Sequence, residues 1–289
     1  MKIADAALRI KIPRNQTALM QHLQLLVVRR HHWWCGGVIS RHKLAAFITK
    51  MAVRYPITRN ERGRCYDRKR GRAVVHFVAF PLAGNQLAWW LLSDGGKGGL
   101  NDPLSPDAHV ANNAMTATGH ISFKDYVLLY AHKKDARKVP DAKTGMEKLV
   151  LKDCSTWTWK LTDTAFNEVK ASIERAAKHL QYGDEGGDSR TPWGVLGILA
   201  CQRSRPLFSG VRTQVIALHR HAETVWGRVK KNWQGQHSAL VLTDREHVGK
   251  LRALNEIMSK HLPKMTRIAT YGEVPRTIVD IAPNDGVKL

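Results

Sequence analysis

His31, His32 and His76 lie in or beside a run of arginines. Those residue types have a definite chemistry in common. An imidazole can move a proton while an Arg or Lys holds the charge of a phosphorane, so RNA can be cut through its own 2′-hydroxyl without a metal. No motif marks these three histidines as catalytic. His76 also stands in "AVVHFVAF", where strand alternation puts it on one face with Val74 and Val78, so it reads equally well as a core histidine.

The arginines are the stronger signal. "RNERGRCYDRKRGR", residues 59 to 72, holds seven Arg or Lys against Glu61 and Asp67. Crowding of that kind costs self-repulsion that folding does not recover, and a polyanion offsets it. The stretch reads as a loop that orders on binding, footed on the apolar strand that follows, with its guanidinium groups forking onto phosphates. The candidate phosphate contacts are Arg59, Arg62, Arg64, Arg68, Lys69, Arg70 and Arg72. Arg29 and Arg30 join them beside the histidines, and Arg212 and Arg220 follow on a helical stretch further along. The plain alternative is a solvated connection that only keeps the protein in solution.

Aromatic residues add a second element of recognition, because unpaired bases stack on aromatic faces. Trp33, flanked by Arg29, Arg30, His31 and His32, is the candidate platform. Trp89 and Trp90 stand in an apolar run and read as core, and Trp157 and Trp159 share one face of a strand.

Other spacings carry less. His219 and His221 are two apart on a helix and do not face each other, and neither HExxH nor a zinc-finger spacing is present among the four scattered cysteines. No metal and no cofactor is expected. "SDGGKGGL" is not GxxxxGK[ST] and reads as a turn more readily than as a phosphate nest. Asp94, Asp102, Asp107 and Asp125 fall in loop-like sequence and offer only a weak case for a metal-dependent nuclease.

These groups need elements to hold them. "ALRIKIP" alternates as an opening strand, and Asn15 or Thr17 can cap a helix through "ALMQHLQLLVVRR". "HHWWCGGVIS" reads as a short strand, with Ser40 as N-cap of a helix that Pro56 ends. "AVVHFVAFPL" and "QLAWWLLSD" form a strand pair across "AGN". "DYVLLYA", "KLVLKD" and "STWTWKL" are further strands, and "KKDARKVPDAKTG" is a polar loop between them.

Thr162 or Asp163 caps a strong helix with Phe166, Val169 and Ile173 at helical spacing. A long helix places Val211, Val215, Leu218, Ala222 and Val225 on one stripe. "SALVLT" reads as a strand, "EHVGKLRALNEIMSKHL" as a helix and the last stretch as extended chain. The expected fold is α+β: a mixed or antiparallel sheet with packed helices in residues 1 to 182, with a ferredoxin-like arrangement compatible. A linker or surface loop at 183 to 190 leads to a mainly helical region from 191 to 289.

Composition bounds the function. The chain carries 46 Lys and Arg against 24 acids, a net +22, and its first 80 residues hold 17 of those cations against Asp5, Glu61 and Asp67, a net +14. Nine Trp and 43% hydrophobic residues belong to a globular protein and not to a disordered basic tail. No apolar run of membrane-spanning length, lipidation signal or signal peptide is read, so a cytoplasmic protein without a membrane partner is expected.

A nucleic-acid-binding protein with RNA or a single strand preferred, with or without protein partners in a ribonucleoprotein complex, is the first expectation. A metal-independent RNA-processing endonuclease and a double-stranded DNA-binding protein of replication or regulation are the alternatives.

Overall fold

The computed structural model describes residues 3–132, 134–140, 147–179, 194–234 and 262–281. It is an α+β protein whose chain divides into two compact units. The first comprises Met1–Ile121, Leu129–Trp157 and Arg267–Leu289; the second comprises Ser122–Leu128 and Thr158–Thr266. The linker or surface loop read at 183 to 190 lies outside the described residues, as do "SALVLT" and nearly all of the helix read after it.

The first unit opens with helix α1 (Ile3–Leu8), which takes Ala7 and Leu8 from the strand read in "ALRIKIP", while Lys11 forms an antiparallel bridge with Thr277. "IADAAL" is rich in helix formers, and only the following residues are extended. Their backbone groups find a distant partner: Ile12 N–H donates to Arg276 O at 2.8 Å and Ile278 N–H to Ile10 O at 3.1 Å. Helix α2 (Gln16–Val28) starts as expected, with the Asn15 side chain accepting from Ala18 N–H at 2.9 Å. Strand β1 (Trp33–Ser40) follows. Ser40 makes no capping bond, because a short 3-10 turn at Arg41–Lys43 intervenes before helix α3 (Leu44–Arg54).

Residues 59 to 72 correct the reading of a loop. Helix α4 (Glu61–Lys69) forms there, capped by the Asn60 side chain, which accepts from Gly63 N–H at 2.8 Å. Strands β2 (Val75–Pro81) and β3 (Gln86–Ser93) pair antiparallel, and β3 pairs antiparallel with β1. With the two-residue strand β4 (Asn112–Asn113) the sheet order is β2-β3-β1-β4. β1 and β2 both run antiparallel to β3, which lies between them, and α3 and α4 connect them, a split β-α-β order.

The register places Cys35, Phe77 and Leu91 on one face, where they join Leu44, Ile48 and Met51 of α3 in the core. His76, Leu92 and Trp34 stand on the other face.

The polar stretch after residue 132, expected to be loop, instead forms strand β7 (Lys134–Pro140), paired with strand β8 (Glu147–Asp153). Charged residues do not prevent a strand when the ladder satisfies its backbone, and composition alone misses such a hairpin. Strands β5 (Ile121–Phe123), β6 (Tyr126–Ala131) and β9 (Thr156–Leu161) form a three-stranded sheet in the order β5-β6-β9.

In the second unit, helices α5 (Asp163–Lys178), α6 (Gly194–Arg203) and α7 (Ser209–Gln234) share a core of Ile173, Ala177, Val195, Leu199, Leu218 and Ala222. Thr162 caps α5 through its bond from Ala165 N–H at 3.2 Å. The start of α7 lies close on β9: Gln214 accepts from Leu161 N–H at 2.7 Å and donates to Leu161 O at 3.1 Å. A Cβ on Gly210 would come within 2.5 Å of Trp159 O, so that approach requires glycine. Among the described residues no helix is long and apolar enough to cross a membrane.

Candidate nucleic-acid interface

A groove of about 1150 Å³ opens in the first unit, and five separate stretches of chain supply its walls. The end of α2 brings His22, Arg29, Arg30 and His31; α4 and its approach bring Arg59, Arg64, Cys65 and Arg68; β2 brings His76; the C-terminal segment brings Tyr271. Arg9 and Lys11 complete its basic lining, and Glu61 is the one acid there among the described residues.

The end of α2 is built to turn sharply into the groove. Arg30 N–H donates to Val27 O at 2.9 Å and His31 N–H to Leu26 O at 3.1 Å, which closes the helix. The turn leaves Arg30 at φ 71°, a left-handed conformation in which glycine is the low-cost residue. An arginine there keeps a cation at the groove wall at the cost of backbone strain, and strain of this kind gathers at functional sites.

Helix α4 divides its charge between structure and surface. Asp67 is buried, with Arg59 at 3.4 Å and Arg72 at 4.0 Å from its carboxylate. Asp94 accepts from Val74 N–H at 2.7 Å and lies 3.4 Å from Arg68. Arg59, Arg68 and Arg72 therefore each have a carboxylate close by. Arg62, Lys69 and Arg70 are exposed, with Arg70 over the Tyr66 ring at 4.4 Å.

Arg64 differs from all of these. It is partly buried, its one bond runs from a terminal nitrogen to Ile57 O at 3.4 Å, and its Nε–H has no partner among the described residues. Burial lowers its pKa, with Tyr271 and Glu61 acting weakly the other way.

Three histidines surround that guanidinium. The rings of His31 and His76 meet edge to face at 4.6 Å, and His22 meets Tyr271 at 5.9 Å. Burial, with Arg64 and Arg29 nearby, lowers the pKa of His22 to about 4. Burial and then Arg64 take His76 down to about 2. His31 is also lowered by burial, partly opposed by its bond to Leu26 and by Asp94. At neutral pH all three are uncharged, so the positive charge of the groove is that of its Arg and Lys. Tyr271 is raised by burial and keeps its proton.

Not every residue read as a site lies here. His32 packs against Trp157 at 5.6 Å, away from the other two histidines. Trp33 packs half-buried against the core of the first unit, Trp89 lies on the same core, and Trp90, Trp157 and Trp159 are buried. Arg212 and Arg220 belong to α7 in the second unit, where Arg212 donates to Leu262 O at 3.4 Å and Arg220 is exposed.

Asp102 accepts from Gly98 and Leu104 N–H, Asp107 binds Tyr55 and Arg54, and Asp125 binds Arg205. They serve separate local structures, and no group of three potential ligands gathers for a metal among the described residues. The "GGKGG" stretch is a turn laid on neighbouring backbone: Ala73 N–H donates to Lys97 O at 3.0 Å, and a Cβ on Gly96 would strike Ala73 N at 2.6 Å.

Sequence reading omitted His22 and Tyr271. The helical period of α2 could have aligned His22 with Arg29, seven residues on; nothing in the sequence joins Tyr271 to them. No family model, no curated protein and no solved structure matches this chain.

Proposed function

We propose that this chain binds nucleic acid, with RNA or another single strand preferred, by seating the phosphate backbone along the groove between α2 and α4. The observation that carries this is Arg64. A guanidinium taken partly out of water, with an unpartnered Nε–H and no carboxylate within ion-pair distance among the described residues, is a costly group for a fold to keep. A phosphate oxygen supplies both the charge and the acceptor that it lacks.

Arg9, Lys11, Arg29 and Arg30 extend the cationic wall beyond one phosphate. The volume exceeds the ~300–1000 Å³ of an ordinary small-molecule pocket, which suits several units of a polymer. A concave cationic track fits a single strand better than a duplex, whose grooves are read by elements that project. The exposed Arg62, Lys69 and Arg70 add longer-range attraction. A cytoplasmic site of action accords with this ligand.

A second reading is metal-independent cleavage of RNA at the same groove, which the contact of His31 with His76 favours. Cleavage needs a base and also an acid for the departing oxygen. A neutral histidine can serve as the base. Burial and then Arg64 hold His76 far below the usual histidine range, so it is uncharged at neutral pH and offers no ready acid. Binding without turnover is therefore the leading function.

The test uses purified protein freed of nucleic acid. It is mixed with labelled single-stranded RNA, structured RNA, single-stranded DNA and duplex DNA at two salt concentrations with EDTA, then run on native and denaturing gels. Salt-sensitive shifts with intact strands are expected. A discrete RNA product would put cleavage first, tighter binding of the duplex would move the ligand to double-stranded DNA, and no shift at low salt would end the nucleic-acid proposal.

A further inference from the structure

We infer that the groove tells RNA from DNA by the ribose 2′-hydroxyl, which donates a hydrogen bond to Nε2 of His31 while the adjoining phosphate accepts from Nε of Arg64. This rests on the groove being the nucleic-acid site and adds the sugar as the feature it reads.

The turn after α2 fixes the tautomer of His31. Its Nδ1 lies 3.1 Å from Leu26 O, and a carbonyl oxygen can only accept, so Nδ1 carries the proton. Nε2 is then a bare lone pair. It has no hydrogen-bond partner among the described residues, and the residue is only 1% exposed. A buried acceptor left without a donor is costly, and such groups in folded proteins call for an explanation.

Protonation does not supply the missing partner. The groups around the ring are His76, Asp94, Arg64 and Arg68, and burial together with the two arginines outweighs the carboxylate and keeps the ring neutral. Among the described residues no uncharged donor reaches Nε2, and a bound ligand can supply one.

The backbone of a nucleic acid limits what that donor is. A phosphodiester oxygen has no proton to give, and deoxyribose within a strand has no hydroxyl. A site for phosphate alone would be complete with Arg64 and would leave His31 unsatisfied. The 2′-hydroxyl is the one donor on the sugar-phosphate chain, and it separates RNA from DNA. Nε2 of His31, at the end of α2, and Nε of Arg64, on α4, belong to residues that line the same groove, one an acceptor for a hydroxyl and the other a donor for a phosphate. An exocyclic base amine is the rival donor, and uracil has none.

The experiment therefore keeps the base constant and changes only the sugar. Fluorescence anisotropy at fixed salt measures the binding of labelled oligouridine, oligo-2′-fluorouridine and oligodeoxyuridine to the wild-type chain and to His31→Phe. The fluorine keeps the ribose pucker of RNA but cannot donate. One hydrogen bond between neutral groups predicts oligouridine binding about fivefold to tenfold tighter than either analogue. His31→Phe should erase that difference between the three oligonucleotides.

Equal binding of all three to the wild type overturns the inference and leaves the groove as a backbone site. A preference that oligo-2′-fluorouridine shares overturns it too, since pucker and not the hydroxyl would then be read. A hydroxyl preference that persists in His31→Phe overturns the assignment to His31. Failure of all three to bind in low salt removes the underlying function as well. The wild-type comparison needs no substitution, so a misfolded variant does not spare the inference.

Discussion

In the second unit Arg205 reaches Gln202 at 2.6 Å, Tyr126 at 3.2 Å and Asp125 at 3.3 Å, and His221 lies 3.0 Å from Glu174. In the groove of the first unit the Arg64 side chain has, among the described residues, only the Ile57 carbonyl at 3.4 Å, and His22, His31 and His76 line the same groove. Both regions are basic. In one, carboxylates and other side chains meet Arg205 and His221; in the other, Nε of a partly buried Arg64 and Nε2 of a buried His31 have no partner among the described residues. Net charge alone does not identify a binding surface. What identifies it is charge that the fold has taken from water without pairing it.

The sharpest way to break this contrast is to remove one cation from each region. Arg64→Gln should weaken single-stranded RNA binding by ~10–100-fold at fixed salt, the range for a hydrogen bond made by a charged group. Arg220→Gln on α7 should change it less than about twofold. Comparable losses in anisotropy titrations would mean that the charge of the second unit is also used. Arg64→Gln should not lower the melting temperature, because it removes a desolvated cation without a carboxylate partner.

Carboxylates test the contrast from the other side. Asp67 is buried beside Arg59 and Arg72, so Asp67→Asn should cost about 1–3 kcal/mol in urea unfolding. The more exposed pair of Glu174 and His221 should yield less than about 0.5 kcal/mol when Glu174 becomes Gln. Equal losses would refute the division of α4 into structural and ligand-facing charge.

Acid should find the first unit before the second. His22 and His76 have folded pKa values below the unfolded value, so the unfolded chain binds more protons as pH falls through 6.5. Stability is full above that pH and declines below it, by roughly 1–2 kcal/mol for each such histidine between pH 6.5 and 5. His76→Phe should remove one proton from the slope of unfolding free energy against pH over that range. An unchanged slope would show that His76 charges freely in the folded protein.

The smallest expected effect concerns salt. Replacing Arg62, Lys69 and Arg70 together by Ala should reduce the slope of log Kd against log salt by about 0.7 for each phosphate that is no longer neutralised. The same measurement on Arg220→Ala should leave the slope unchanged.

Much of the framework was legible because it is local. Asn15 and Thr162 cap the helices expected of them, the strand pair across "AGN" is β2 and β3, and the apolar stripe of α7 faces its core. The misses have local causes too. Residues 59 to 72 read as a loop because their charge hid a helix capped by Asn60, and the strand read in "ALRIKIP" starts too early because Ala7 and Leu8 end α1. Of the candidate histidines, His31 and His76 meet in the groove and His32 does not, a difference of one residue at the turn after α2.

By itself the sequence determined the charge excess, the α+β character and the residue types available for phosphate binding, because propensity, capping and composition act over a few residues. Tertiary structure decided which cations remain unpaired, which histidines lose their charge and that Tyr271 joins residues some 200 to 250 positions away. Desolvation and pairing depend on what other parts of the chain bring near a group, and sequence spacing does not encode those distances.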